Sequence, residues 1–144
     1  MPEPTEADVS YEGGAASVDF ERNKRDKNGS DWCYASIEDV QRNLLSTGYD
    51  EQKTSFIKGK VEDTIPASAP EGIALLRLDT DWYESTLHEL VHLFPRLSSG
   101  GVLIIDDYGH WQGARRAVDE YFADNKIPIL LNRVDYTGRM AIKR

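Results

Sequence analysis

The chain has 144 residues, enough for one domain with its own core, and 40% of them are hydrophobic, an ordinary share for a soluble protein. Its formal charge of −8 at pH 7 repels polyanions and so argues against a nucleic-acid or anionic-membrane partner. The single cysteine, Cys33, excludes an internal disulfide, no apolar segment reads as a signal peptide or membrane span, and a cytoplasmic location is the simplest expectation.

Residues 1–34 are rich in Pro, Glu, Asp, Gly and Asn and show no apolar period, which predicts a polar loop or lid segment, partly disordered. Gly13-Gly14 has no strand before it and does not read as a nucleotide-binding glycine loop. Ser36-Ile37-Glu38-Asp39 has the form of a capping box, and Ile37, Val40, Leu44 and Leu45 recur at helical spacing up to Gly48, predicting a first helix. Thr54 to Lys58 is a short strand candidate, followed by the polar loop Lys60 to Asp63 and the punctuation of Pro66 and Pro70.

The run Ile73 to Leu78 predicts a strand buried on both faces. Leu87, Leu90, Val91, Phe94 and Leu97 mark a helical stripe ending around Pro95, after which Ser98 to Gly101 turns the chain into a strand from Val102 to Ile105. Ala114, Ala117, Val118, Tyr121 and Phe122 define a third helix, and Pro128 to Leu131 and Arg139 to Ile142 close the chain as an antiparallel hairpin around Asp135-Tyr136-Thr137-Gly138. Strands alternating with helices predict an α/β sheet, mostly parallel, with an antiparallel C-terminal hairpin.

In an open α/β sheet, ligands bind beyond the carboxyl ends of the strands, where this chain carries Asp79, Asp81, Asp106 and Asp107. Asp79, Asp106 and Asp107, converging from two strand ends, suit a hard cation such as Mg²⁺, because crowded carboxylates are costly without one. The competing reading is that strand-end aspartates only cap the following helices. Tyr108 and His110, beyond the paired aspartates, are candidate acceptor contacts, and Trp82 could stack on a ligand ring or simply pack. His88-Glu89-Leu90-Val91-His92 matches the H-E-x-x-H pattern of zinc peptidases on a predicted helix, but Pro95 and Ser98 stand where a longer zinc motif has Gly and His.

Leu76 to Thr86 and Gly100 to Gly109, continued by His110 to Tyr121, resemble the macrocin O-methyltransferase family, from about Ser36 to the C-terminus. Met1-Pro2-Glu3-Pro4 resembles the end of that family's loop after its second strand, and the layout is more distantly similar to catechol O-methyltransferase. The resemblance implies a Rossmann-like methyltransferase that uses S-adenosylmethionine and Mg²⁺ to methylate a sugar hydroxyl on antibiotic-type natural products. It implies metal ligation by Asp79, Asp106 and Asp107, adenine contacts from Val61 and Glu62, Asp79 beside the methyl donor, Trp82 near the adenine edge, and Asp79 or Asp81 as proton acceptor.

By the same resemblance, residues 35–144 correspond to the C-terminal part of a methyltransferase domain, with the upstream strand, its glycine-rich turn, the first helix and the second strand expected to be missing. Thr54 to Lys58 would then lack its neighbour, leaving unpaired edges and exposing apolar side chains such as Ile73 and Leu75. The expected partner is a small-molecule acceptor, and a homo-oligomer stays open. Two other readings remain at this point: a zinc metallopeptidase through His88, Glu89 and His92, and a noncatalytic α/β fragment that pairs with another chain.

Overall fold

The computed structural model describes residues 3–26 and 29–144, so that Met1 and Pro2 of the Met1–Pro4 comparison lie outside the described residues. In chain order the elements are α1 (Ala16–Arg22), β1 (Lys24–Asp26), β2 (Gly29–Ser30), α2 (Ile37–Leu45), α3 (Val61–Thr64), β3 (Ile73–Leu78), α4 (Tyr83–Leu93), β4 (Leu97–Ile105), α5 (Gln112–Asp124), β5 (Asn132–Arg133) and β6 (Arg139–Ile142). A four-stranded sheet runs in the order β3-β4-β6-β5, with β3 and β4 parallel and the other two pairings antiparallel. The sheet is thus mixed, and its parallel content is confined to β3 and β4.

Strand parity divides the sheet into two faces. Leu76 lies opposite Leu103, which lies opposite Ala141, and Leu78 pairs with Ile105. These side chains meet Leu90, Leu93, Phe94, Val118, Tyr121 and Phe122 from α4, its C-terminal turn and α5 in one buried cluster. The hydrophobic stripe of α5 forms as its spacing predicts, with Ala114, Ala117, Val118, Tyr121 and Phe122 all buried. On α4 the stripe is narrower than expected: Val91 is exposed, Glu89 is buried in its stead, and Leu97 belongs to β4.

Several expectations are corrected. The strand Ile73 to Leu78 is not buried on both faces, because Leu75 is 59% exposed on the side that carries neither α4 nor α5. Thr54 to Lys58 runs without strand pairing, and its Phe56 and Ile57 are exposed. The Ser98 to Gly101 turn is absorbed into β4, which bulges against β3 where Ile73 pairs with Leu97 but Leu75 with Val102. Gly100 provides the positive φ of +81° there, at no steric cost. Pro128 to Leu131 forms no strand; Pro128 lacks a donor for a ladder, and Ile127, Ile129 and Leu131 instead pack along the core cluster.

The hairpin turn does form, because Asp135 Oδ1 accepts from the backbone N–H of Thr137 at 2.9 Å and of Gly138 at 2.6 Å. Those bonds hold the Asp135 carboxyl below its ordinary range. Helix α2 starts at the expected cap, where Ser36 Oγ accepts from Asp39 N–H at 3.1 Å, yet Ile37 and Val40 remain exposed.

The N-terminal stretch differs most from a bare loop, since it contains α1 and a strap, residues 5–15, fastened to the body. Asp8 is 1% exposed, and its Oδ1 accepts from Tyr83 N–H at 2.9 Å, so a carboxylate distant in sequence caps the first turn of α4 and complements the helix dipole. Gly113 makes this possible, because a Cβ there would meet Asp8 Oδ1 at 2.3 Å. Ala16 then packs with Trp82, Trp111 and Ala114 in a second buried cluster that Trp32 flanks. No contiguous apolar pattern announces these contacts; single tryptophans far apart in sequence supply the cohesion.

Candidate metal and active site

The carboxyl ends of β3 and β4 lie side by side, with Leu78 opposite Ile105 and Asp106 N–H donating to the Leu78 carbonyl at 3.0 Å. This register brings Asp79, Asp106 and Asp107 together, each offering a carboxylate oxygen within 4.8 Å of the others. By parity Asp79 and Asp106 project on the open side of the sheet, where Arg77 pairs with Asp79 at 2.7 Å and with Asp106 at 3.1 Å. Asp107 turns inward, and its Oδ2 is buried without a hydrogen-bond partner among the described residues.

Asp81 completes the group. Trp82 N–H donates to the Thr80 carbonyl at 2.8 Å, closing a three-residue turn around Asp81, whose φ of +67° is rare for a residue other than glycine. Such strain persists only where the surroundings enforce it, and it is a pointer to function. Burial, then a hydrogen bond and charge repulsion from Asp107, push the Asp81 carboxyl up to about 8. Burial, then Asp106, push Asp79 up to about 6 against the opposing pull of Arg77, and burial raises Asp107 as well. The site is a concentration of negative charge that one internal cation only partly offsets, which is the electrostatic condition for binding a hard divalent cation. The orphaned Asp107 Oδ2 is a free ligand atom for such an ion, so the donor set fits Mg²⁺.

Next to Asp79, Thr80 and Asp81 lies a cavity of about 220 Å³ whose far wall is Gly59, Lys60, Val61 and Glu62, with Ser85 from α4. The loop can close there because Gly59 has φ +148° and a Cβ on it would meet Thr64 Cγ2 at 2.6 Å. Glu62 Oε2 is buried with no partner among the described residues, an acceptor open to a donor. The volume is below the roughly 300–1,000 Å³ usual for a small-molecule site, so these walls suit one part of a ligand. Trp82 is 3% exposed in the tryptophan cluster and also borders a neighbouring cavity with Lys60, Glu62 and Asp63.

Tyr108 donates its hydroxyl to Asp119 Oδ1 at 2.8 Å, under the guanidinium groups of Arg115 and Arg139. His110 begins the next turn, its backbone N–H donating to the Asp107 carbonyl at 3.0 Å. The zinc pattern brings the His88 and His92 rings to 4.4 Å but gains no third ligand among the described residues. His88 Nε2 lies 3.0 Å from the Ile65 carbonyl oxygen, Glu89 Oε2 accepts from Thr80 Oγ1 at 2.9 Å, and among the described residues only the aspartate trio clusters as a metal site. Arg77 is the residue of this cluster that sequence reasoning misses, although a charge inside an apolar strand is its signal.

The fold and the strand-end cluster together define a mixed α/β protein with an acidic site at the carboxyl ends of its parallel strands. The family described as Macrocin-O-methyltransferase (TylF) matches residues 8–143, and the chain belongs to that family. Among relatives, it is 38% identical over 103 residues to demethyldecarbamoylnovobiocin O-methyltransferase of Streptomyces niveus, covering 72% of this chain and 39% of the relative. It is 37% identical over 135 residues to 8-demethyl-8-(2,3-dimethoxy-alpha-L-rhamnosyl)-tetracenomycin-C 4'-O-methyltransferase of Streptomyces olivaceus, covering 90% and 51%. The solved structure of the O-methyltransferase NovP matches with a TM-score of 0.71 and 36% identity, over 76% of this chain and 45% of NovP. The chain therefore spans about half or less of the length of these proteins.

Proposed function

We infer that this chain carries the metal and proton-transfer half of an S-adenosylmethionine- and Mg²⁺-dependent O-methyltransferase acting on a hydroxyl of a sugar in natural-product biosynthesis. The observation that supports it most is the carboxylate cluster of Asp79, Asp106 and Asp107 with its orphaned buried oxygen, set beside the carboxyl group of Asp81. The names of the relatives support the substrate class.

A divalent cation held by Asp79, Asp106 and Asp107 would act as a Lewis acid that makes an acceptor hydroxyl more acidic, and S-adenosylmethionine would provide an electrophilic methyl group. The chain's own groups do the rest. Asp81, held by its strained turn beside Asp107, would accept the hydroxyl proton in its ionised form, which a cation on the neighbouring aspartates favours by drawing down the raised pKa; Asp79, raised less and steadied by Arg77, is the alternative base. Val61 and Glu62 border the cofactor side, where the free Glu62 Oε2 can accept from an amino group such as that of adenine. Burial of Asp81 and Asp107 limits water around the transferring proton and strengthens the local field. Fixing acceptor and donor in line supplies much of the remaining acceleration.

The test is calorimetric titration of Mg²⁺ into the chain, together with transfer of labelled methyl from S-adenosylmethionine to glycoside acceptors by the polypeptide that carries it. Mg²⁺ binding that disappears in Asp107→Asn, and methyl transfer that disappears with it, are expected. Undiminished transfer by Asp107→Asn in the presence of a chelator would overturn the reading.

A further inference from the structure

Three aromatic rings from distant parts of the chain meet at the rim of the carboxylate cluster. The strap crosses the start of α5: Tyr11 N–H donates to the His110 carbonyl at 2.8 Å, Gln112 N–H to the Val9 carbonyl at 2.8 Å, and Gln112 Nε2 to the Ser10 carbonyl at 2.8 Å. These bonds hold the Tyr11 ring 5.9 Å from His110 and 5.4 Å from Tyr136. Tyr136 comes from the β5–β6 turn, which docks through Gly109 N–H to the Thr137 carbonyl at 2.8 Å. Only glycine permits that approach, since a Cβ on Gly109 would meet the Tyr136 carbonyl oxygen at 2.0 Å. The Tyr136 hydroxyl and His110 Nδ1 are hydrogen-bonded to each other.

Despite these constraints, Tyr11 is 55% and Tyr136 46% exposed. The rings do not fill a core, yet backbone tethers from three segments gather them around His110, whose backbone N–H donates to the Asp107 carbonyl at 3.0 Å. Tyr11 also lines a cavity of about 580 Å³ with Gln112, Arg115 and Asp119, leading away along α5.

We propose that Tyr11, His110 and Tyr136 form a carbohydrate-binding wall that orients the acceptor sugar toward the carboxylate cluster, with the α5 groove receiving the rest of the glycoside. The assignment rests on the methyltransferase reading for its purpose. The ring planes are inclined to one another by 58°, 70° and 85°, so they leave no parallel slot for a flat aromatic acceptor. They present apolar edges and faces interspersed with hydroxyl and imidazole groups. That combination suits a pyranose, which offers C–H groups on one face and hydroxyls around its rim.

The experiment is an amide-resolved NMR titration of the chain with methyl α-L-rhamnopyranoside, and separately with catechol, each without metal. The glycoside should shift the amides of Tyr11, Gly109, His110 and Gly138, while catechol should leave them in place. Tyr11→Ala and Tyr136→Ala should each weaken glycoside binding about fivefold, whereas Tyr11→Phe should stay within about twofold, because the ring and not its hydroxyl makes the surface. Mg²⁺ affinity, read in parallel, should be unchanged in all three, which shows the neighbouring cluster intact. Unaltered glycoside affinity in both alanine variants, a catechol response in place of the glycoside response, or no glycoside shift in the wild type at any soluble concentration would overturn the wall. Failure of Mg²⁺ to bind the wild type, with glycoside binding as described, would instead count against the methyltransferase reading alone.

Discussion

The two faces of the central sheet are made of the same kinds of residue and have opposite fates. On one, Leu76, Leu78, Leu103, Ile105 and Ala141 lie at 0–7% exposure under α4 and α5. On the other, Leu75, Met140 and Ile142 are exposed by 59%, 37% and 50%, beside Val102 and Ile104, which are partly exposed. An apolar strand is therefore competent to be covered on both sides, and only the elements that dock decide which side is. The carboxylate site lies across this divide. Asp79 and Asp106 follow the open face and find Arg77, whereas Asp107 turns inward and both it and Asp81, hydrogen-bonded to it, are desolvated. Polar neighbours on one side and burial on the other together concentrate charge at one point without neutralising it.

This contrast can be broken most severely from the packed face. Leu103→Ala should destabilise the fold by about 2–5 kcal/mol, since the side chain has no exposure and α4 and α5 cannot both collapse onto the void; denaturant melts measure it. At the junction of the faces, Asp106→Asn and Asp107→Asn should each weaken Mg²⁺ binding by at least about tenfold, or roughly 1.4 kcal/mol, as read by calorimetry. An equal loss in Arg77→Met would show that the cation builds the site; a gain would show that it competes with the metal.

A pH series sharpens the comparison further. Burial, with Glu62 and Asp79 nearby and against the Thr80 hydrogen bond, pushes Glu89 up to about 7 from an ordinary 4.5. Between those values the folded chain holds a proton that the unfolded chain releases, so this group's contribution to stability falls as pH rises through about 7 and is recovered on acidification. Glu89→Gln should flatten the thermal stability profile between pH 5 and pH 8. The smallest effects belong to the outside. Leu75→Ser on the open face, and His88→Ala and His92→Ala on α4, should each fall within about 0.5 kcal/mol in the same melts. A large cost for Leu75→Ser would mean that the open face is covered in solution.

Local chemistry determined a good part of this protein on its own. The Ser36 cap, the stripe of α5, the Asp135 turn and the strands around Leu76 and Leu103 depend on neighbours a few residues apart, so their periodicity and turn residues suffice to locate them. Asp79, Asp106 and Asp107 were legible as a group because each ends or follows an apolar strand, and parallel pairing aligns such ends. Tertiary structure alone decided the remainder: that Thr54 to Lys58 stays unpaired, that Leu75 faces outward, that Asp8 caps a helix from far upstream, that Asp81 is strained, and that Tyr11 and Tyr136 meet at His110. Each of these depends on a contact between segments distant in sequence, or on its absence, and an amino-acid pattern records what a segment can bury or bond but not which partner arrives.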